Sequence, residues 1–150
     1  MDGASRRHNT IIHNLILRLD PTARKRGCRA YSTDVKVRVA AANAYYYPDF
    51  VVTCAKDDRD DYVVASPALI VEVASPGTEA VDRREKRVNY GKLPSLAEYL
   101  TVAQDRRRVE VWRRGPEGLR VEVYESGSFR LNSLDCEVSL DDIYADIEGG

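Results

Sequence analysis

Residues 68–74, ALIVEVA, and the stretch behind them, SPGTEAVDRREKRVNY at 75–90, decide how this chain folds. The first seven are almost continuously apolar, which is the pattern of a strand covered on both faces in the middle of a sheet. A single charge, Glu72, interrupts them. Pro76 and Gly77 end the strand. Thr78 and its neighbours start a helix predicted to run to about residue 92.

Upstream, residues 50–54 form a second apolar strand, entered through Tyr45, Tyr46, Tyr47 and Pro48. Between 28 and 39, Val35, Val37 and Val39 alternate with Asp34, Lys36 and Arg38, as in a strand with one wet face. The charge-dense segment 56–61 reads as a solvated loop. At the start, Ser5 can cap a helix whose apolar face is Ile11, Ile12, Leu15, Ile16 and Leu19. Pro21 is expected to interrupt or kink it, and Gly27 marks its stop. Downstream, strands are predicted at 98–103, 108–113, 119–125 and 128–131. A short closing helix at 140–146 is capped by Ser139. These elements describe one mixed α/β or α+β domain over residues 1–150.

The chain has 150 residues, 43% hydrophobic and 31% charged, which suits a globular protein with one core. Its formal net charge of −1 provides no global field toward a polyanion, so nucleic-acid binding would need a local patch. No apolar run approaches the roughly 20 residues of a membrane span, and the polar N-terminus does not resemble a signal peptide. Cys28, Cys54 and Cys136 are odd in number and lack CxxC spacing, which speaks against zinc and against a disulfide framework. They are expected to be buried, reduced thiols in a cytoplasmic protein.

Glu72 is the first candidate for chemistry, because a lone carboxylate in an apolar strand is costly unless paired or metal-bound. Asp49, immediately before the strand at 50–54, is the second. Two carboxylates on adjacent strands suit a hard cation such as Mg²⁺, which accepts one or two of them plus water and phosphate. In the following helix Asp82, Lys86 and Tyr90 are four apart and share one face. That face is either a surface pair above a packed Tyr or a functional face turned back toward Glu72. Arg83, Arg84 and Arg87 make the helix locally basic and able to contact a phosphate backbone. His8 and His13, near the helix start, remain candidates for the site, with a surface or capping role expected before catalysis.

YYYPDFVV at 45–52, residues 68–90, and SLAEYLTVAQDRRRVEVWRR at 95–114 together resemble the Uma-type family of restriction-endonuclease-like proteins. That family belongs to the PD-(D/E)XK nuclease superfamily. The likeness extends to SRRHNTIIHNLILRL at 5–19 and CEVSLDDIY at 136–144, so it takes in almost the entire chain. Pro48 and Asp49 resemble the PD, and Glu72 resembles the acid of the second half-motif. The lysine of that half-motif would fall at Ala74. The Uma-type pattern carries it on the following helix instead, where Lys86 matches.

The resemblance implies a restriction-endonuclease-like core, with a central mixed sheet flanked by helices. It implies a phosphodiesterase acting on nucleic acid, DNA before RNA. Asp49, Glu72 and the carbonyl of Val73 would hold Mg²⁺ or Mn²⁺, Lys86 would act on water or the transition state, Asp82 would hold Lys86, and Tyr90 would pack beneath it or contact substrate. The competing expectation is an inactive nuclease fold that binds nucleic acid or protein. For Val109, Val111, Trp112, Val121 and Val123, two expectations stand equal: completion of the monomer core, or an edge strand that pairs in a homodimer.

Overall fold

The computed structural model describes residues 4–74 and 80–147, without the side chains of 80–82. Helix α1, Arg6–Lys25, opens on Ser5, whose hydroxyl accepts from the His8 N–H. Its apolar positions Ile11, Ile12, Leu15, Leu19 and Ala23 are buried. Pro21 does not break it. It stands on the exposed side, near the 76%-exposed Leu17, where the carbonyl it cannot serve is open to water. Gly27, at φ 77°, turns the chain out of the helix in a conformation that favours glycine.

The next stretch is two strands where the alternation suggested one. Strand β1, Arg29–Ser32, ends at a turn in which Thr33 and Asp34 have positive φ, and β2, Lys36–Val39, starts a different sheet. With β3, Ala44–Tyr46, and β5, Val63–Val64, β2 forms a small sheet in the order β3-β2-β5. The main sheet has β4, Phe50–Thr53, β6, Pro67–Ala74, β7, Glu98–Ala103, β8, Val109–Gly115, and β9, Gly118–Tyr124, in the order β1-β4-β6-β7-β8-β9. β6 lies inside this sheet, as its apolar run requires. It runs parallel to β7 and antiparallel to β4, so the sheet is mixed. Parallel neighbours need a crossover, and helix α2, Ala80–Tyr90, lies in that connection. The predicted strand stop at Pro76 and Gly77 and helix start at Thr78 lie outside the described residues.

The chain closes with the hairpin β10, Ser128–Leu131, and β11, Cys136–Ser139, the second of which the sequence reading omits. Helix α3, Leu140–Ile143, follows and is capped by Ser139. One core lies between the main sheet and α1, built on Leu15, Leu19, Phe50, Leu69, Val71 and Leu100. On the opposite face Val51, Ile70 and Tyr99 of the main sheet pack with Tyr90 of α2 and with Val37 and Val39 of the small sheet. Val109 and Val111 are fully buried, which settles them as monomer core, whereas Val121 and Val123 are each 43% exposed.

One buried acid and one covalent link tie distant segments together. Glu98, fully buried, accepts from Arg113 Nη1 at 3.0 Å and from the N–H groups of Asn132 and Ser133, fastening the hairpin turn to the main sheet. Cys28 and Cys54 form a disulfide, which corrects the expectation of reduced thiols; Cys136 alone is free and buried. The pairing follows from register. β1 and β4 place Arg29 opposite Thr53, and one step further sets the two cysteines side by side. The support that three reduced thiols lent to a cytoplasmic setting falls with them. No helix among the described residues is long and apolar enough to cross a membrane.

Candidate active site

Register builds the site. β4 and β6 pair Phe50 with Val71, and continuing by one residue sets Asp49 opposite Glu72. Directly opposed residues on antiparallel strands share a face, so both carboxylates turn to the α2 side. They line one cavity of about 220 Å³ together with His8, Tyr47, Val73, Ala74, Arg83, Lys86, Tyr99 and Thr101.

Glu72 is held at both oxygens. Tyr90 donates to Oε2 at 2.9 Å and Tyr99 donates to Oε1 at 3.0 Å. Both rings are buried and meet edge to face, their centroids 5.0 Å apart, and Tyr46 packs on Tyr90 in the same way. Lys86 reaches down from α2 to put Nζ 3.6 Å from Glu72 Oε1. Burial pushes the Glu72 carboxyl above its ordinary value, and the Asp49 charge adds to this. Lys86 and the two phenols pull it back without cancelling the rise. Burial and the Glu72 charge also push both phenols well up, so they remain donors.

Asp49 Oδ2 accepts the Val73 N–H at 2.7 Å, which fixes the carboxylate against the strand that carries Glu72. His8 Nε2 lies 3.4 Å from the same oxygen, with its side chain 14% exposed. Its place is set by the start of α1. The Ser5 hydroxyl donates to Gln104 Oε1, and Gln104 Nε2 donates to the carbonyl of Ala74. That chain ties the helix N-terminus to the end of β6. His8 thus belongs to the cavity, contrary to the expectation of a surface or capping role, while His13 is exposed as expected.

The structure therefore brings together Asp49, Glu72, Val73, Lys86 and Arg83. Tyr90 lies beneath Glu72, fully buried, so it bears on the acid and cannot reach a substrate. Arg84 is exposed outside the cavity lining, and Arg87 lies over the Trp112 ring at 4.2 Å. The Asp82 side chain lies outside the described residues. The sequence reading missed Tyr99. Its only signal was an aromatic with a polar tip in an apolar strand, and which strand it faces depends on a register that one sequence does not reveal.

Two carboxylates facing one cavity suit a hard divalent cation that keeps water or substrate oxygens as further ligands. Among the described residues no three His, Cys, Asp or Glu side chains converge on one point, so a cage made wholly of such side chains, as for structural zinc, is not present. The donor set fits Mg²⁺ or Mn²⁺ better than a soft metal.

Comparison with known proteins bears on the fold and the family. The crystal structure of a "putative nuclease belonging to DUF820" from Anabaena variabilis superposes with a TM-score of 0.78 over 94% of this chain and 82% of that one, at 15% identity. The two share a fold. The uncharacterized protein slr1290 of Synechocystis sp. is 29% identical over 147 residues, covering 96% of this chain and 77% of its own. The uncharacterized protein sll1609 of the same organism is 31% identical over 115 residues, covering 75% of this chain and 65% of its own. The model of the Uma2 family, described as "Putative restriction endonuclease", matches residues 1–143. With a nuclease-like fold and a family match over nearly its whole length, this chain belongs to the Uma2 family.

Proposed function

We propose that this protein hydrolyses phosphodiester bonds of nucleic acid, with DNA as the substrate, using Mg²⁺ or Mn²⁺. The observation that carries this reading is Glu72 itself. A nearly buried carboxylate is gripped by two phenols, paired with a lysine and opposed by a second acid across an open cavity. A structural acid has no need of the second carboxylate or of the opening.

Asp49, Glu72 and the Val73 carbonyl would hold the ion. When bound, it would lower the pKa of a water molecule and neutralise charge developing on phosphate. Tyr90 and Tyr99 hold Glu72 in one orientation, so its charge is aimed before substrate arrives. The Val73 N–H does the same for Asp49. Lys86 orients the attacking water or stabilises the charge gathering on the phosphoryl oxygens. Arg83, at the cavity mouth, attracts the phosphate backbone.

The test is isothermal titration of Mn²⁺ and Mg²⁺ into wild type, Glu72→Gln and Glu72→Ala, followed by plasmid nicking on the same samples. Binding that disappears in folded variants, together with metal-dependent nicking, supports the reading. A wild type that binds no metal and nicks nothing leaves the competing one, a nuclease fold used for binding.

For assembly we infer a two-fold homodimer through β9, the open edge of the main sheet. Arg120, Val121, Glu122 and Val123 are exposed in succession. A two-fold axis normal to the sheet through Val121 sets Arg120 opposite Glu122 of the second copy and Leu119 opposite its Val123. Moving the axis to either neighbour opposes Arg120 with Arg120 or Glu122 with Glu122, which like charges disfavour.

A further inference from the structure

The small sheet presents aromatic and basic side chains to solvent. β2 and β3 pair Arg38 with Tyr45, and continuing that register sets Lys36 opposite Tyr47. Val37 and Val39 are fully buried beneath, and Tyr46 turns inward to Tyr90. Period two then sends Lys36, Arg38, Tyr45 and Tyr47 to the outer side. Tyr45 is 51% exposed and Tyr47 61%. Lys36 Nζ lies 5.2 Å from the centre of the Tyr45 ring.

This face runs into the catalytic cavity. Tyr47 lines that cavity with Asp49 and Glu72, and stands two residues before Asp49 in sequence. Arg83 lines it as well. Two exposed phenol rings along β3 and its continuation face two cations along β2, and the pair of rows leads to a pair of carboxylates. Their backbone positions, residues i and i+2, stand about 7 Å apart along a strand. That is close to two nucleotide rises of a stacked strand.

We propose that the outer face of the small sheet is a stacking platform for unpaired bases, so that the nucleic acid taken by this site is single-stranded or locally unpaired. Bases would stack on Tyr45 and Tyr47, while Lys36, Arg38 and Arg83 meet the phosphates as the strand descends to Asp49 and Glu72. In a duplex the base faces are already stacked on one another and closed to the tyrosines. The chain has no global positive field, so a local surface of this kind is what polyanion binding requires. The proposal deepens the nuclease reading by naming its substrate class, and it rests on that reading.

The experiment is fluorescence anisotropy with a 5′-labelled oligodeoxynucleotide of about 20 nucleotides, alone and annealed to its complement, in EDTA at low salt. We expect the single strand to bind at least tenfold more tightly than the duplex. The Tyr45→Ala/Tyr47→Ala double variant should lose at least tenfold of that binding. The Tyr45→Trp/Tyr47→Trp variant should keep it, because a ring is what stacking needs. Both positions are exposed, and circular dichroism checks that the variants fold. Duplex bound as tightly as single strand, an alanine variant that binds like wild type, or no binding of either probe overturns the platform. Metal-dependent cleavage of the same labelled single strand and of a plasmid, by the same preparations, separates the two readings. Single-strand binding with cleavage of neither substrate removes the nuclease and keeps the platform. Cleavage without single-strand preference in binding removes the platform alone.

Discussion

Lys86 Nζ stands 3.6 Å from Glu72 Oε1, bridging helix α2 and strand β6 where the chain has alanine at the strand position of the motif lysine. Glu72 and Ala74 share a face of β6, so a lysine at 74 would have come from the sheet itself. From α2 the four-carbon stem spans the gap to the same acid. We expect Lys86→Ala to fold normally and to lower metal-dependent nicking by about 10²–10³-fold, the usual loss when one preorganised charge is removed. Lys86→Arg should recover only part of this. Nicking rates under single-turnover conditions decide it, and undiminished activity in Lys86→Ala would assign Lys86 to structure alone.

Tyr99 and Tyr90 hold opposite oxygens of Glu72, and their removal should separate orientation from folding. Tyr99→Phe keeps the buried ring and deletes one donor to a charged acceptor, a loss of about 1.5–3 kcal/mol where the partner stays buried. The expected result is weaker metal binding by titration calorimetry, with a cooperative melt retained. The Tyr90→Phe/Tyr99→Phe double variant should exceed the sum of the single losses, because both donors act on one carboxylate.

Much of this site was legible in the sequence, and the reason is desolvation. A single charge within ALIVEVA marks Glu72 because burial makes an unpaired carboxylate costly, and helical spacing alone puts Lys86 on one face with Tyr90. The alternation at Val35, Val37 and Val39 could not say which sheet β2 joins. The same pattern serves any half-buried strand, and a positive-φ turn at Thr33 and Asp34 breaks it from β1. Tyr99, His8 and the Cys28–Cys54 pair depend on contacts across strands or between distant elements. Such contacts come from register, which periodicity does not encode.

The raised Glu72 carboxyl carries a consequence for metal-free protein. A folded-state pKa above the unfolded one means the native state holds its proton more tightly. The stabilising contribution is then fully present below the unfolded value, near 4.5, and is lost as pH rises through the folded value. The loss accrues at about 1.4 kcal/mol per pH unit between the two. In EDTA, Glu72→Gln should flatten this part of the stability profile and melt above wild type at neutral pH. Urea unfolding across pH 4 to 8 measures it, and parallel profiles would show that the acid is not strained.

The disulfide joins residues 26 apart in sequence and fastens the end of α1 to the edge of β4. Closing a loop of that length in the unfolded chain is worth about 3 kcal/mol. We expect reductant, or Cys54→Ser at the exposed end of the pair, to lower Tm by about 6–12 °C. Nicking measured well below the transition should change little, since the bond lies at the far end of β4 from Asp49. Equal melting with and without reductant would mean the bridge adds no stability.

β9 provides the last test, because its charges can be exchanged. Arg120→Glu alone sets glutamate against Glu122 of the second copy, and Glu122→Arg alone sets arginine against Arg120. Each should weaken association at least tenfold in sedimentation equilibrium, shifting the mass toward the 16.9 kDa of one chain. The double exchange restores opposite charges at both contacts and should restore the dimer. Within one copy Arg113 lies opposite position 120 in register, so a glutamate there can replace the salt bridge it now makes with Glu122. A wild type that sediments as a single chain at tens of micromolar rules out this edge as an interface. A dimer indifferent to either single exchange places the interface elsewhere.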